Sequence, residues 1–329
     1  MAINSLNTAP SFDVVAVGES MLTLYPESPD SIRFSWDVGG AESNVIRTLA
    51  ALGLRSSWVS RLGADLAGSL VHDVIASSGA DTSKVEFVAD APTGLMLKES
   101  TASSRRVQYY RAGSAASSMA TGSTPFGHCL SGQVLHLSGI TLSLSEECRR
   151  LVIDLLAEPG AALRSFDVNW RPALWPAATP SELFANAANR ADVVFVGIDE
   201  AKALWGASDP TQIRAVVDQP GRVVVKDGPN GTYSFVGDEP AFEAALSGTI
   251  VDPLGAGDAF AAGYLTGLLT APADERRSLR LGHIMAMAAI ASEHDVGNPL
   301  PWPVINRMLG ASADEWRSLV YDDFIGARA

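Results

Sequence analysis

Cysteine is nearly missing: Cys129 and Cys148 are the two in 329 residues. That is too few for a disulfide framework or a thiolate zinc site, and it suits a reducing compartment. Basic residues are scarce too, with 24 Lys and Arg against 37 Asp and Glu and a formal net charge of -13. A phosphate polymer or an anionic lipid surface is repelled overall by such a chain, so neither nucleic acid nor a membrane is an expected partner. His72, His128, His136, His283 and His294 form no H-E-x-x-H or other close pair, which removes the usual basis for a catalytic zinc. Long apolar runs are also lacking. The longest, residues 259–272, is bounded by Asp258 and Asp274 and is too short to span a bilayer. The opening "MAINSLNTAPSFD" has no basic segment followed by an apolar one, so no secretory signal is expected and the protein is read as cytoplasmic.

What remains is 47% hydrophobic, enough for a large core. Short β-rich runs, "DVVAVG" (13–18), "QVLHLSG" (133–139), "DVVFVG" (192–197) and "RVVVKDG" (222–228), alternate with amphipathic stretches such as "AESNVIRTLAALG" and "SEECRRLVIDLLAEPG". This alternation predicts an α/β fold, a mostly parallel sheet with helices on both faces. Two stretches, 21–36 and 93–111, place strand after strand with no helix between, and predict a small second sheet built of hairpins, suited to a lid. No repeat or linker divides the chain, so a single domain over 1–329 is expected.

"DPLGAGDAFAAGYL" (252–265) sets Asp258 behind Gly255, Ala256 and Gly257, at the start of an apolar helix. Glycines let backbone N–H groups face a ligand, a helix start favours an anion, and a carboxylate placed there can take a proton. Phosphoryl transfer needs that combination; a plain acidic helix cap needs no more than the same residues. Phe260 stands where a dinucleotide fingerprint needs glycine, and neither G-x-x-x-x-G-K-[ST] nor G-x-S-x-G occurs. In "VQYYR" the two-residue period puts Tyr109 and Arg111 on one face. In "SFDVNWRPALW" it aligns Asp167, Asn169 and Arg171 at a strand's C-terminal end, where open α/β sheets bind ligands. Planar guanidinium groups suit a carboxylate-bearing substrate.

"DPLGAGDAFAAGYL" resembles the C-terminal signature of the ribokinase-like (PfkB) sugar kinases, and "GGAESNVIRTLAALG" (39–53) with "SRLGADLAG" (60–68) resembles their N-terminal one. The resemblance covers about residues 13–309. It implies a three-layer α/β/α domain with a small β lid, an ATP-dependent sugar kinase with Mg2+ and an accessory monovalent cation, and a homo-oligomer paired through the lid. It implies further that Gly39, Gly40 and Asn44 approach the sugar, that Asp258 is the base, and that the amides of Gly255, Ala256 and Gly257 hold the transferring phosphate. "VVVKDGPNGTYSF" resembles the family's K-x-G-x-x-G segment and implies ATP contacts for Lys226, Gly228 and Gly231. "EHDVGNPLP" implies Asn298 near adenine and Asp295 near the substrate. "YYRAGSA" with "FDVNWRPALW" looks most like the 2-keto-3-deoxygluconate kinases, which makes Tyr109, Arg111, Asn169 and Arg171 substrate candidates; fructokinases share the second segment, so a neutral sugar is the alternative. "GIDE" keeps Glu200 of the family's N-x-x-E metal-phosphate motif but has Gly197 for its asparagine, a departure that leaves Glu200 an indirect metal candidate and opens the reading of a non-catalytic sensor. Leu95, Met96 and Leu97 stand where sugar-acid kinases often carry a tyrosine.

Overall fold

Runs of valine with no polar interruption become strands covered on both faces, and the amphipathic stretches between them become the covering helices. The computed structural model describes residues 10–28, 31–100, 105–160, 162–175, 179–237 and 240–325. Among them are the strands β1 (Phe12–Val17), β2 (Met21–Pro26), β3 (Phe34–Gly39), β4 (Ser56–Gly63), β5 (Asp81–Val88), β6 (Leu95–Ser100), β7 (Arg105–Tyr110), β8 (Gly132–Ser138), β9 (Leu163–Asp167), β10 (Val193–Gly197), β11 (Arg222–Lys226), β12 (Gly231–Val236) and β13 (Pro240–Ala244). Nine of these form the main sheet, in the order β13-β12-β11-β10-β9-β8-β1-β4-β5. The pairs from β11 to β5 along that order are parallel; β12 and β13 add an antiparallel edge.

Alternation along β1 divides the core. Val15 and Val17 face one layer with Leu135, Phe166 and the helices Glu146–Ala157 and Ser181–Ala188. Val14 and Ala16 face the other, with helices Ala41–Ala51 and Ala256–Thr270. Period-two geometry therefore builds the expected three layers. Phe260 and Leu265 are buried on the second face, each contributing about 1.5–3 kcal/mol by removal from water. Among the described residues no helix is long and apolar enough to cross a membrane.

From β1 the chain proceeds outward through β4 to β5, and later from β8 through β9 and β10 to the opposite edge. The C-terminal ends of β1 and β8 thus frame a topological switch point, where such sheets open a crevice. Glu42 is buried there, accepting the hydroxyls of Ser138 and Thr141, each at 2.6 Å.

Both expected hairpins form, and they join into a second sheet of order β3-β2-β6-β7. The first continues to Gly39, beyond the expected end at 36, so the small sheet delivers its last residue directly to helix Ala41–Ala51. Positions 29–30 and 101–104 in the lid stretches lie outside the described residues. One expectation fails locally. Period two does not carry Asp167, Asn169 and Arg171 along one face, because β9 ends at Asp167 and Asn169 turns the backbone with φ 39°.

Candidate active site

Helix Ala256–Thr270 begins at Gly255, whose φ of 78° lies in the left-handed region. A Cβ there would stand 2.1 Å from the Asp295 carbonyl oxygen, so glycine is required by conformation and by space. Among the described residues no side chain caps this helix. The amides of Gly257 and Asp258 have no acceptor within the helix, and Ala256 N reaches the Pro253 carbonyl only at 3.4 Å. The turn therefore offers donors at the positive end of a helix dipole. Gly255→Ala is expected to lower stability by about 1–3 kcal/mol or more, read as a lower urea midpoint; an unchanged midpoint would mean the turn relaxes freely.

Asp258 keeps part of its surface open but is fixed by two amides from distant segments. Asn44 Nδ2 donates to its Oδ2 at 2.9 Å and Asn169 Nδ2 to its Oδ1 at 3.3 Å. The left-handed backbone at Asn169 is what swings that amide back toward the helix. The Oδ1 atoms of both asparagines are buried and, among the described residues, have no hydrogen-bond partner, which leaves two acceptors beside the carboxylate. The Asp258 carboxyl is pushed up to about 7: burial is the largest cause, the Asn44 hydrogen bond opposes it, Asp167 adds to it, and Arg171 and Lys226 oppose it. A carboxylate tuned near neutrality is matched to taking a proton there.

Lys226, at the end of β11, lies 3.0 and 3.1 Å from the two oxygens of Asp167, at the end of β9. Burial would pull its ammonium down, but Asp167, Glu200 and Asp258 outweigh burial and keep it charged. Its Nζ is 3.4 Å from the position of a Cβ on Gly257, so a cation stands beside the helix-start amides. Gly228 (φ 49°) and Gly231 (φ 142°) shape the β11–β12 turn just after it.

Glu200 has a local task. Its two oxygens accept the amides of Trp170 and Gly197, at 2.9 and 2.7 Å, the second holding the N-cap backbone of helix Ile198–Trp205. It thereby ties the segment carrying Asn169 to β10. Among the described residues no three His, Cys, Asp or Glu side chains gather to hold a metal. Arg171 is about half exposed, 4.0 Å from Glu200, and stands at the rim.

The sugar-side candidates fall into two further groups. A Cβ on Gly40 would meet the Glu19 carbonyl oxygen at 2.3 Å, so the close packing of the chain requires glycine there. Gly39 faces Asp295, whose Oδ2 lies 2.6 Å from where a Cβ would be. Arg111 and Tyr109 do share a face, with the guanidinium 5.7 Å from the ring centroid. Arg111 is nevertheless engaged: it is ion-paired with buried Glu19, which also accepts the Ser114 hydroxyl. Asn298 is exposed, three residues beyond Asp295.

Sequence reasoning passed over Glu19, which pairs with Arg111, and Lys98 and Asp252, which pair with each other. The signal for Glu19 was its place just past β1, at the switch point. For Lys98 it was the alternation of β6, which sets it on the face of buried Met96.

A parallel sheet with a glycine-started helix at its open end, a carboxylate in that helix and a second small sheet form an arrangement suited to phosphoryl transfer onto a small-molecule hydroxyl. The chain belongs to the pfkB family of carbohydrate kinases, whose model matches residues 11–303. It is similar to a 2-dehydro-3-deoxygluconokinase of Bacillus subtilis (strain 168), 36% identical over 269 residues, covering 78% of this chain and 83% of that one. It is 32% identical over 301 residues to an enzyme of the same name from Thermoproteus tenax, covering 88% of this chain and 91% of the other. The crystal structure of a PfkB protein from Polaromonas sp. JS666 superposes with a TM-score of 0.75 at 31% identity, covering 83% of this chain and 95% of that one.

Proposed function

We propose that the chain transfers the γ-phosphoryl group of ATP to the terminal hydroxyl of a sugar acid, 2-keto-3-deoxygluconate, giving the 6-phospho product and ADP. The observation that carries this is Asp258, held by Asn44 and Asn169 at an uncapped helix start beside Lys226. The substrate oxygen attacks phosphorus as its proton passes to Asp258 and the bond to the ADP oxygen breaks. The amides of Gly255, Ala256 and Gly257 with Lys226 stabilise charge on the transferring group. Asn44, Asn169 and Asp295 orient the acceptor, and Arg111, Arg171 and Tyr109 receive its carboxylate end.

Mg2+ supplies charge neutralisation when bound, and we propose that it travels on the nucleotide phosphates with its own waters. Each Glu200 oxygen already takes one backbone amide, which suits it to an indirect role toward the metal, through a bound water. The small sheet acts as the lid of a single catalytic unit, closing to exclude water as a competing nucleophile. Its half-exposed Phe34, Trp36 and Tyr110 suit pairing with a second copy of the chain in a cytosolic homo-oligomer.

A neutral ketohexose is a second acceptor with a specific observation in its favour. Glu19 already neutralises Arg111, so the guanidinium is not freely available to a ligand carboxylate. ADP release measured with ATP and Mg2+ over 2-keto-3-deoxygluconate, gluconate, fructose, ribose and adenosine decides. The keto-deoxy acid is expected to exceed fructose in kcat/KM at least tenfold. Fructose in the lead would overturn the sugar-acid assignment and support the second one.

A further inference from the structure

Lys98 projects from β6 of the small sheet into the main body, and its ammonium sits between two carboxylates. Nζ is 2.7 Å from Asp295 Oδ1 and 3.1 Å from Asp252 Oδ2. The three side chains are 14%, 8% and 15% exposed. Their partners are not arbitrary. Asp252 accepts the Leu254 amide on its other oxygen at 3.1 Å, so it shapes the start of the turn leading to Asp258. Asp295 presses its carbonyl against Gly255 in the middle of that turn, and its second oxygen faces Gly39. One ammonium therefore touches the two residues that brace the phosphate turn, one at its entrance and one across its centre.

We infer that Lys98 is a positioning residue that couples the small sheet to the phosphate-binding turn, setting the amides of residues 255–257 when the small sheet is seated. This rests on the proposed kinase function for its catalytic consequence, although the coupling itself does not. Burial alone would discharge the lysine, but Asp295 and Asp252 outweigh it and hold the ammonium charged. A neutral side chain at 98 leaves two buried carboxylates facing one another across the vacated cation. The turn then loses a brace on each side, and Asp295 loses its cation, while Asn44, Asn169 and the nucleotide-side Lys226 keep their own contacts. Turnover should suffer more than binding.

Two measurements on the full chain test this. In Lys98→Met, kcat is expected to fall about 10- to 100-fold with the KM for ATP changing less than threefold. Added ammonium or methylammonium should restore part of the loss in the variant and leave wild type unaffected, and Lys98→Arg should keep more activity than Lys98→Met. A loss that ammonium and arginine fail to relieve, or no loss at all, overturns the inference. Amide hydrogen exchange needs no turnover: Lys98→Met should speed exchange in β6 and in residues 252–258 together. Faster exchange on one side alone overturns the coupling whatever the substrate proves to be. Wild type inactive on every sugar, with the joint exchange response intact, overturns the proposed function and leaves the coupling standing.

Discussion

Replacing Asp258 by asparagine should lower kcat by about two to four orders of magnitude, the usual worth of a positioned general base, while the KM for the sugar acid moves little. The side chain keeps its shape. One of its two hydrogen bonds would set donor against donor, since Asn44 and Asn169 both present Nδ2 to the carboxylate. Either amide can rotate its free Oδ1 into place, so the site should remain assembled. Wild-type kcat/KM should rise with pH through a midpoint near 7, where the Asp258 carboxyl loses its proton, and residual activity of the variant should be flat across that range. Near-normal turnover in the variant would remove Asp258 from the mechanism.

The same substitution should make the ligand-free protein more stable above neutrality. Asp258 titrates near 7 in the fold against 3.8 as an ordinary carboxyl, so the unfolded chain releases its proton first. Stability attached to the protonated form is complete below about pH 4, declines between the two values and is gone above 7. About three pKa units correspond to about 4 kcal/mol at most, a net effect in which the opposing contributions of Asn44, Arg171 and Lys226 are already included. Urea midpoints at pH 5 and pH 8 should show the asparagine variant gaining on wild type as pH rises. An equal gap at both would mean that the Asp258 carboxyl is not raised in the folded protein.

How far the sequence discloses this site depends on how local each contact is. Uninterrupted valine runs announced strands covered on both faces, and two strand pairs without a helix between them announced the second sheet. The Gly255–Asp258 turn was legible because conformation, helix start and acid fall within four residues. Asn169 reached Asp258 by a route that period two did not provide, since the strand ended two residues earlier and the chain turned through φ 39°. Lys98 and Asp295 are 197 positions apart and Glu19 and Arg111 are 92 apart, so no local pattern couples them. What those charged residues do depends on which strand ends the topology brings together.

Glu19 changes what Arg111→Ala can be expected to do. Removing the guanidinium leaves a buried carboxylate without its cation, and breaking such a pair costs about 3–5 kcal/mol. Arg111→Ala should therefore lose stability and sugar-acid turnover at once, and neither loss alone identifies a substrate contact. Adding Glu19→Gln separates them. The double variant has no stranded charge, and the amide that replaces the Glu19 carboxylate can still accept the Ser114 hydroxyl, so most of the stability should return. If Arg111 serves only to neutralise Glu19, turnover of the sugar acid returns as well. If the guanidinium also receives the substrate carboxylate, kcat/KM for the acid stays about 10- to 100-fold low, as expected for a lost charged hydrogen bond of about 1.5–3 kcal/mol. Fructose turnover in that case recovers fully. The second outcome is the expected one, because the Tyr109 ring lies against the same guanidinium on a half-exposed face and gives a ligand a route to it. Recovery on the acid as complete as on fructose would assign Arg111 to the fold and pass the choice of substrate to Arg171 at the rim.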